Sequence, residues 1–264
     1  MRKTLCWIIA IIITLAASAY QRITGPTHPT TLKTAIANRN CSFSLPRSCG
    51  ESDCIVKLTD VPEGTKASIF WRNYPSNDRF QEVPMSFDGT TLKGALPQQP
   101  RAGKLEYFVS IDGKEYFADK PLVIRFKGDV PATLLIVHII LMFASMLLAC
   151  YGGIMALLNN PVYKRYFIWT GIVLFAGGFI LGPIVQWYAF GSWWSGIPFG
   201  WDLTDNKTLI VMLIVLATIL TQRLRANRMI AIIAAVAFFI VFLLPHSLGG
   251  SELNRQTGVV ETKL

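Results

Sequence analysis

Residues 132–158 read ATLLIVHIILMFASMLLACYGGIMALL and contain no Asp, Glu, Lys or Arg. About 20 apolar residues in helical conformation cross the hydrocarbon core of a bilayer, so this stretch is long enough to span a membrane. Further apolar runs follow it at 167–189, 209–220 and 229–244, and another precedes it at 5–19. The pattern predicts a membrane α-helical bundle of four core helices, preceded by an N-terminal anchor or signal and joined to an exported all-β sandwich domain.

The overall composition agrees with a chain that is partly surrounded by lipid. Its 264 residues are 52% hydrophobic and 16% charged, whereas soluble domains carry about 25% charged residues. These values exclude an ordinary soluble enzyme and a disordered chain. The formal net charge is +9, but the basic residues are spread over several loops, so the expected partner is the lipid bilayer and not a nucleic acid.

The N-terminal segment, residues 1–20, has two interpretations. Its apolar run follows Arg2 and Lys3 and ends at Ala17-Ser18-Ala19. Small residues at that spacing fit the cleavage site of a signal peptide, while the apolar run also fits an uncleaved signal anchor. Both interpretations export the residues that follow.

The short loops predict an orientation. Lys164 and Arg165 lie between the second and third spans, and Arg223, Arg225 and Arg228 lie between the fourth and fifth, whereas the loop 190–206 has no Lys or Arg. Basic loops stay in the cytoplasm. The sequence therefore predicts a multi-pass protein of the inner cell membrane with a cytoplasmic N-terminus, a periplasmic domain and an external C-terminal tail at 248–264.

The exported domain, residues 21–130, has the sequence of a β protein. Asp88-Gly89 and Asp112-Gly113 each lie between short apolar segments, and Asp-Gly is the preferred turn of a tight hairpin. Six or seven short strands with such turns resemble an immunoglobulin-like or fibronectin-like sandwich. Sandwich domains of this kind mostly bind proteins or act as spacers, so a partner protein in the membrane or in the exported compartment is expected.

The exported cysteines are Cys41, Cys49 and Cys54. They allow one disulfide and leave one thiol over, and the sequence leaves the pairing open. The spacing of Cys49 and Cys54 is poor for zinc, and no further ligands lie near them.

Two histidines and one loop of the transmembrane domain, residues 131–247, could carry chemistry. His138 lies inside the second span, and His246 follows the fifth span on the predicted outer side. Ionisable side chains inside a membrane are costly and often functional, although a hydrogen bond to a neighbouring helix also explains a histidine there. The external loop 190–206 follows Trp187 and contains Trp193, Trp194 and Trp201-Asp202. Its glycines and acidic residues indicate a compact folded loop and not only an interfacial aromatic belt.

The order of these features resembles the haem-handling membrane proteins of cytochrome c maturation, which carry a Trp-rich external "WWD" segment between helices with external histidines. The resemblance implies haem b as cofactor, with His138 and His246 as iron ligands. It also implies that Trp193, Trp194, Trp201 and Asp202 form the covering loop.

Three functions follow from these patterns. The first is binding of haem b or a metal at the outer face, for electron transfer or for cofactor or cytochrome assembly. The second is a non-catalytic accessory or assembly subunit whose exported domain docks a partner protein. The third, a transporter, lacks inverted repeats and polar spans. The chain contains no Cys-x-x-Cys-His, Walker loop, His-Glu-x-x-His or Gly-x-Ser-x-Gly motif, so no catalytic residue is predicted.

Overall fold

The computed structural model describes residues 2–224, 227–245, 250, 252–255, 257–258 and 260–261. These residues form two compact units. The described parts of residues 1–26 and 130–251 form a helical unit, and those of residues 27–129 and 252–261 form a β unit. The chain is therefore a mixed helix and sheet protein.

The apolar runs form the helices of the first unit. In chain order they are α1 (Arg2–Thr24), α2 (Ala132–Leu157), α3 (Tyr163–Leu174), a π-helical segment (Phe175–Leu181), α4 (Gly182–Phe190), α5 (Leu203–Leu224) and α6 (Arg228–Leu243). Because α3, the π-helical segment and α4 run on without a break, they make one long helix, Tyr163–Phe190. This helix, α1, α2 and α5 are long and apolar enough to cross a membrane, whereas α6 is a shorter apolar helix.

The helices approach one another at small residues. A Cβ atom built on Gly153 of α2 would lie 2.5 Å from the Cβ of Ala235 in α6. One built on Gly178 in the π-helical segment would lie 2.6 Å from the Cγ2 of Thr208 in α5. Small side chains let helix backbones pack closely, which replaces the hydrophobic driving force that lipid does not supply.

The second unit is built from short strands. They are β1 (Thr30–Ile36), β2 (Arg39–Leu45), β3 (Ser48–Cys49), β4 (Cys54–Leu58), β5 (Ala67–Asn73), β6 (Gln81–Pro84), β7 (Ser86–Asp88), β8 (Thr91–Leu96), β9 (Lys104–Ile111), β10 (Lys114–Tyr116), β11 (Leu122–Phe126), β12 (Glu252–Leu253) and β13 (Val260–Glu261). The largest sheet has the order β3-β11-β9-β5-β6, with β10 also paired to β9. A second sheet has the order β4-β8-β7, and β1 pairs with β2.

One hydrophobic core joins these sheets. Phe43 of β2, Leu58 of β4, Ile69 of β5 and Phe126 of β11 are fully buried in it. Tyr107 of β9 is buried as well, and its hydroxyl donates to the carbonyl oxygen of Pro46 at 2.8 Å. Burial raises the pKa of this phenol well above its usual range, so Tyr107 stays neutral and keeps its donor.

The Asp-Gly turns close hairpins as the sequence predicts. Gly89, between β7 and β8, has a φ of 67°, and Gly113, between β9 and β10, has a φ of 80°. Glycine adopts this left-handed conformation without steric cost. The hairpin of β1 and β2, which has no Asp-Gly turn, is not predicted by this signal.

Cys49 and Cys54 form the disulfide, and Cys41 is a free, half-buried thiol. The pairing that the sequence leaves open is thus between the two cysteines nearest in the chain. Because the bridge joins the end of β3 to the start of β4, it links the two larger sheets.

Residues 252–261, which the sequence analysis treats as part of a separate tail, belong to the β unit. The backbone N–H of Leu253 donates to the carbonyl oxygen of Ala102 at 3.2 Å. The Arg255 guanidinium donates to the side-chain oxygen of Gln99 at 2.8 Å and to the carbonyl oxygen of Lys104 at 3.0 Å. Partial burial lowers the pKa of Arg255, which nevertheless stays charged at neutral pH. Residues 252–255 are therefore held by the β unit.

Candidate functional site

The Trp-rich loop connects α4 to α5 and is defined at both ends by helix caps. Gly191 ends α4 with a φ of 77°, and its N–H donates to the carbonyl oxygen of Trp187 at 2.8 Å. A left-handed glycine is the usual residue at this position. At the other end the Asp202 carboxylate accepts a hydrogen bond from the N–H of Thr204 at 2.8 Å, as an N-cap residue does.

Side chains from the first turn of α5 hold the loop backbone. The Asp205 carboxylate accepts from the N–H of Ser195 at 2.6 Å, and the Asn206 side-chain oxygen accepts from the N–H of Ile197 at 2.8 Å. From α4, the Gln186 amide donates to the Ser195 hydroxyl at 2.7 Å. Asp205, Asn206 and Ser195 are buried. Since buried polar groups without partners cost about 1–3 kcal/mol each, this network favours one loop conformation.

Two glycines permit the close approach that this network needs. A Cβ atom on Gly196 would lie 2.7 Å from the Cβ of Asp205, and one on Gly200 would lie 2.5 Å from the carbonyl oxygen of Ser195. Larger residues would therefore push the loop away from α5. The glycines that a simple aromatic belt does not require are explained by this packing.

The aromatic rings divide into an inner and an outer set. Trp194 stacks on Phe179 with ring centroids 5.6 Å apart, and its indole N–H donates to the carbonyl oxygen of Ile197 at 3.1 Å. Outside, Trp193 and Trp201 are each 54% exposed, and Phe199 is 82% exposed. The loop thus turns its polar groups inward and presents aromatic rings outward.

A buried cation fixes the neighbouring helix end. Lys207 is only 4% exposed, and its ammonium donates to the carbonyl oxygen of Leu244, just after α6, at 2.8 Å. Gln21 of α1 donates to the carbonyl oxygen of Phe242 at 2.6 Å. These contacts satisfy carbonyls that the end of a helix leaves without partners. The sequence alone singles out neither Gln21 nor Lys207 for these contacts. The polar run Asp205-Asn206-Lys207 indicates only that the end of the loop is folded.

His138 contacts the third span. Its Nδ1 lies 2.9 Å from the carbonyl oxygen of Gly177, inside the π-helical segment. Because a carbonyl only accepts, Nδ1 is the donor, and in the neutral ring Nε2 then has a free lone pair. The second predicted ligand, His246, lies outside the described residues, so the predicted pairing of the two histidines stays a prediction.

The remaining predicted site residues have different environments. Trp193 and Trp201 are exposed, Trp194 is half-buried against Phe179, and Asp202 is buried as the cap of α5. Within the described part of the chain, no group of three or more His, Cys, Asp and Glu side chains could hold a metal ion. The exposed rings of Trp193 and Trp201 lie on a loop whose backbone is held by the hydrogen bonds to Asp205 and Asn206.

Comparison with known proteins adds no family to this description. No protein-family model matches the chain, and no curated protein matches it.

Proposed function

We propose that this protein is a multi-pass membrane accessory subunit that binds a partner protein at its outer face through the Trp-rich loop. The observation that carries the proposal is the division of the loop into buried polar groups and exposed aromatic rings. Trp and other large aromatic residues dominate the energy of many protein interfaces. Presenting them on a fixed scaffold reduces the entropy lost on binding.

The fixed conformation favours a protein partner over the lipid headgroups. An interfacial aromatic belt works through the ring's position at the membrane surface and does not require a particular loop backbone. Here Asp205 and Asn206 are buried to hold that backbone, and Gly196 and Gly200 are needed to let it pack. A defined arrangement of Trp193, Phe199 and Trp201 suits a complementary protein surface.

The composition of the β unit supports a particular topology. Residues 252–261 belong to the same unit as residues 27–129, so both lie on the same side of a membrane. The chain between them must then cross an even number of times. Since α2, the helix Tyr163–Phe190 and α5 account for three crossings, α6 supplies the fourth. The positive-inside rule, applied to the basic loops, supports an orientation in which this shared side lies outside the cytoplasm.

Site-specific crosslinking would test the partner. A photoreactive residue at Phe199 or Trp201 in whole cells should yield one discrete protein adduct, identified by mass spectrometry. The same residue at Trp169, which is 45% exposed on α3, is the matched control for a lipid-facing ring. With the identified partner purified, Trp201→Ala should weaken binding by about 30-fold, as expected for an interface hot spot. Equal adducts at Trp169, or lipid adducts alone, would contradict the proposal.

Cysteine labelling would test the topology separately. Phe199→Cys should react with an impermeant maleimide from outside intact cells, and Arg165→Cys should react only after lysis. Cys41, Cys6 and Cys150 would first be replaced by Ser or Ala so that background labelling is absent. Labelling of Arg165→Cys from outside would reverse the orientation.

Haem b binding is a second candidate, favoured by the geometry of His138. Metal-bound histidines usually donate their other ring N–H to a carboxylate or a carbonyl, and the Nδ1 of His138 is engaged with Gly177. Nε2 of His138 would hold the iron, Trp193 and Trp201 would line the site, and the bound haem would supply one-electron transfer. A Soret band in the purified protein, lost in His138→Ala with unchanged thermal unfolding, would support this function. A purified, folded protein that shows no Soret band after incubation with hemin would exclude it.

A further inference from the structure

A pocket with a volume of about 400 Å³ lies where α3 and α6 begin. The loop after α2 contributes Asn159 and Pro161, α3 contributes Tyr163 and Lys164, and the start of α6 contributes Asn227, Arg228 and Met229. The pocket is therefore formed by both of the basic loops, at the end of the helices away from the Trp-rich loop.

The charged side chains that line this pocket, among the residues that the structure describes, are both positive. They are Lys164 and Arg228. Between residues 130 and 250 the sequence contains only Asp202 and Asp205 as acidic residues, and both lie beside the Trp-rich loop. Among the described residues, neither Lys164 nor Arg228 forms an ion pair. Within the described part of the chain, the two cations thus have no carboxylate partner where they face the pocket.

A buried hydrogen-bond network holds the two walls of the pocket together. The Tyr163 hydroxyl donates to the side-chain oxygen of Gln222 at 2.9 Å, and this oxygen also accepts from the N–H of Asn227 at 3.1 Å. The amide of Gln222 donates in turn to the carbonyl oxygen of Asn227 at 2.6 Å. Since Gln222 is 7% exposed, the three residues fix the relative positions of α3, α5 and α6. The site is preorganised before any ligand enters.

The helix dipoles at the pocket also favour the binding of an anion. α3 begins at Tyr163 and α6 at Arg228, and neither helix has an acidic residue in its first turn. The start of a helix carries a partial positive charge, so a cation there is unfavourable. Lys164 and Arg228 both occupy first turns, and a bound anion would compensate the helix ends and the side chains together.

Exposed apolar side chains lie near the pocket residues along the chain. Leu157 and Leu158, just before Asn159, are 61% and 59% exposed, and Ile233, one turn after Met229, is 63% exposed. These side chains lie on the helices that we assign to the membrane, where acyl chains would cover them. The positive charge alone is expected of any cytoplasmic loop, but that rule explains neither the concave shape nor the Gln222 network.

We propose that this pocket binds the phosphate of an anionic glycerophospholipid headgroup, with Lys164 and Arg228 as the phosphate ligands and the acyl chains against Leu157, Leu158 and Ile233. Basic pockets between helices at the cytoplasmic surface are suited to such headgroups. The proposal is independent of the partner at the Trp-rich loop, because the two sites use different residues at opposite ends of the helices.

The test uses full-length protein in detergent and native mass spectrometry with added phosphatidylglycerol. Each basic loop offers a matched control, since Arg165 and Arg223 do not line the pocket but carry the same charge. Lys164→Gln with Arg228→Gln should weaken phosphatidylglycerol binding by about 25-fold, or about fivefold for each cation. Arg165→Gln with Arg223→Gln should change it by less than about twofold. Phosphatidylcholine, as the neutral comparison, should bind weakly to all forms.

A competition experiment distinguishes a lipid phosphate from free inorganic phosphate as the ligand. Inorganic phosphate at millimolar concentration should not displace phosphatidylglycerol, because it cannot use the apolar surroundings. Equal loss in both double variants would show general charge attraction and overturn the proposal, as would unchanged binding in the pocket variant. Displacement by inorganic phosphate would identify a soluble anion site and overturn the lipid assignment. Gln222→Leu breaks the hydrogen-bond network without removing charge. It should also weaken phosphatidylglycerol binding, because the network holds the walls of the pocket in place.

Discussion

The β unit and the helical unit differ in how many of their large apolar side chains are exposed. In the β unit the largest residues, such as Phe43, Tyr107 and Phe126, are fully buried, and the large apolar residues that remain exposed are few, among them Ile55 and Phe87. In the helical unit the contacts are made by residues as small as Ala10, Ala231 and Gly153, while many Ile, Leu and Phe side chains are exposed. The difference is the one expected between a unit surrounded by water and a unit whose helices cross a membrane, because water drives large apolar groups inward and lipid does not.

Removing a buried ring should have the largest effect. Phe126→Ala in β11 should destabilise the β unit by about 3–5 kcal/mol, through lost burial and the cavity left behind. Hydrogen–deuterium exchange of β9 and β11 in the full-length protein measures this loss. Phe87→Ala, at a ring that is 42% exposed, is the control and should change exchange little. Similar effects at both positions would break the contrast between core and surface.

In the helical unit, replacing a small residue at a helix contact by a larger one should reduce stability. Gly153→Leu places a side chain where even a Cβ lies 2.5 Å from Ala235, so it should cost about 1–3 kcal/mol by overpacking. Thermal unfolding in detergent, followed by tryptophan fluorescence, reports the change. Ala217→Leu on the exposed side of α5 should leave the unfolding temperature almost unchanged. An unchanged unfolding temperature in Gly153→Leu would mean that the close packing of α2 against α6 does not stabilise the helical unit.

A substitution at Asp205 should show whether buried polar side chains stabilise the conformation of the Trp-rich loop. Asp205→Ala leaves the N–H of Ser195 without its acceptor and should cost about 1 kcal/mol, mostly in local order of the loop. Faster proteolysis between Trp193 and Trp201, with little change in overall unfolding, is the expected result. Asp205→Asn retains a side-chain oxygen and should have a smaller effect. Unchanged cleavage in Asp205→Ala would show that the loop does not depend on this contact.

The smallest effect is expected at an exposed pair of the β unit. Lys93 donates to the Asp88 carboxylate and lowers the pKa of that group below its ordinary value. Because the pKa is depressed in the folded state, the pair stabilises the protein above the ordinary pKa of Asp and loses this effect as the pH falls through the folded value. An NMR titration should show the low pKa of Asp88, and Lys93→Met should return it toward 3.8. Water screens such a pair strongly, so overall stability should barely respond.

The sequence predicted features that depend on local pattern. The apolar runs located the helices, because length and the absence of charge are local properties, and the Asp-Gly pairs located two hairpins. The third span began earlier than its apolar run, at Tyr163, because Lys164 and Arg165 can lie in a helix end at the membrane surface. The β1–β2 hairpin and the place of residues 252–261 depend on contacts between distant parts of the chain, which no local pattern records.

The candidate site shows the same limit. The tryptophans of the loop could be identified from composition, but which of them is exposed is decided by Phe179, Asp205 and Asn206, which lie on other elements. His138 was identified because an ionisable residue inside an apolar run is unusual. Its contact with Gly177 could not be predicted, since it joins two helices. The role of Gln222 could not be predicted, because a single amide near a helix end has no distinguishing pattern in the sequence.

The closure of the β unit by the last residues of the chain has a consequence for biosynthesis. Leu253 and Arg255 reach Ala102, Gln99 and Lys104 only after every helix between them has been synthesised and inserted. The β unit therefore cannot be completed until α6 has been synthesised, and a molecule truncated before that point lacks the donors of Leu253 and Arg255 to the carbonyl oxygens of Ala102 and Lys104. The strands β12 and β13 therefore make completion of the β unit depend on prior synthesis of all the helices from α2 to α6.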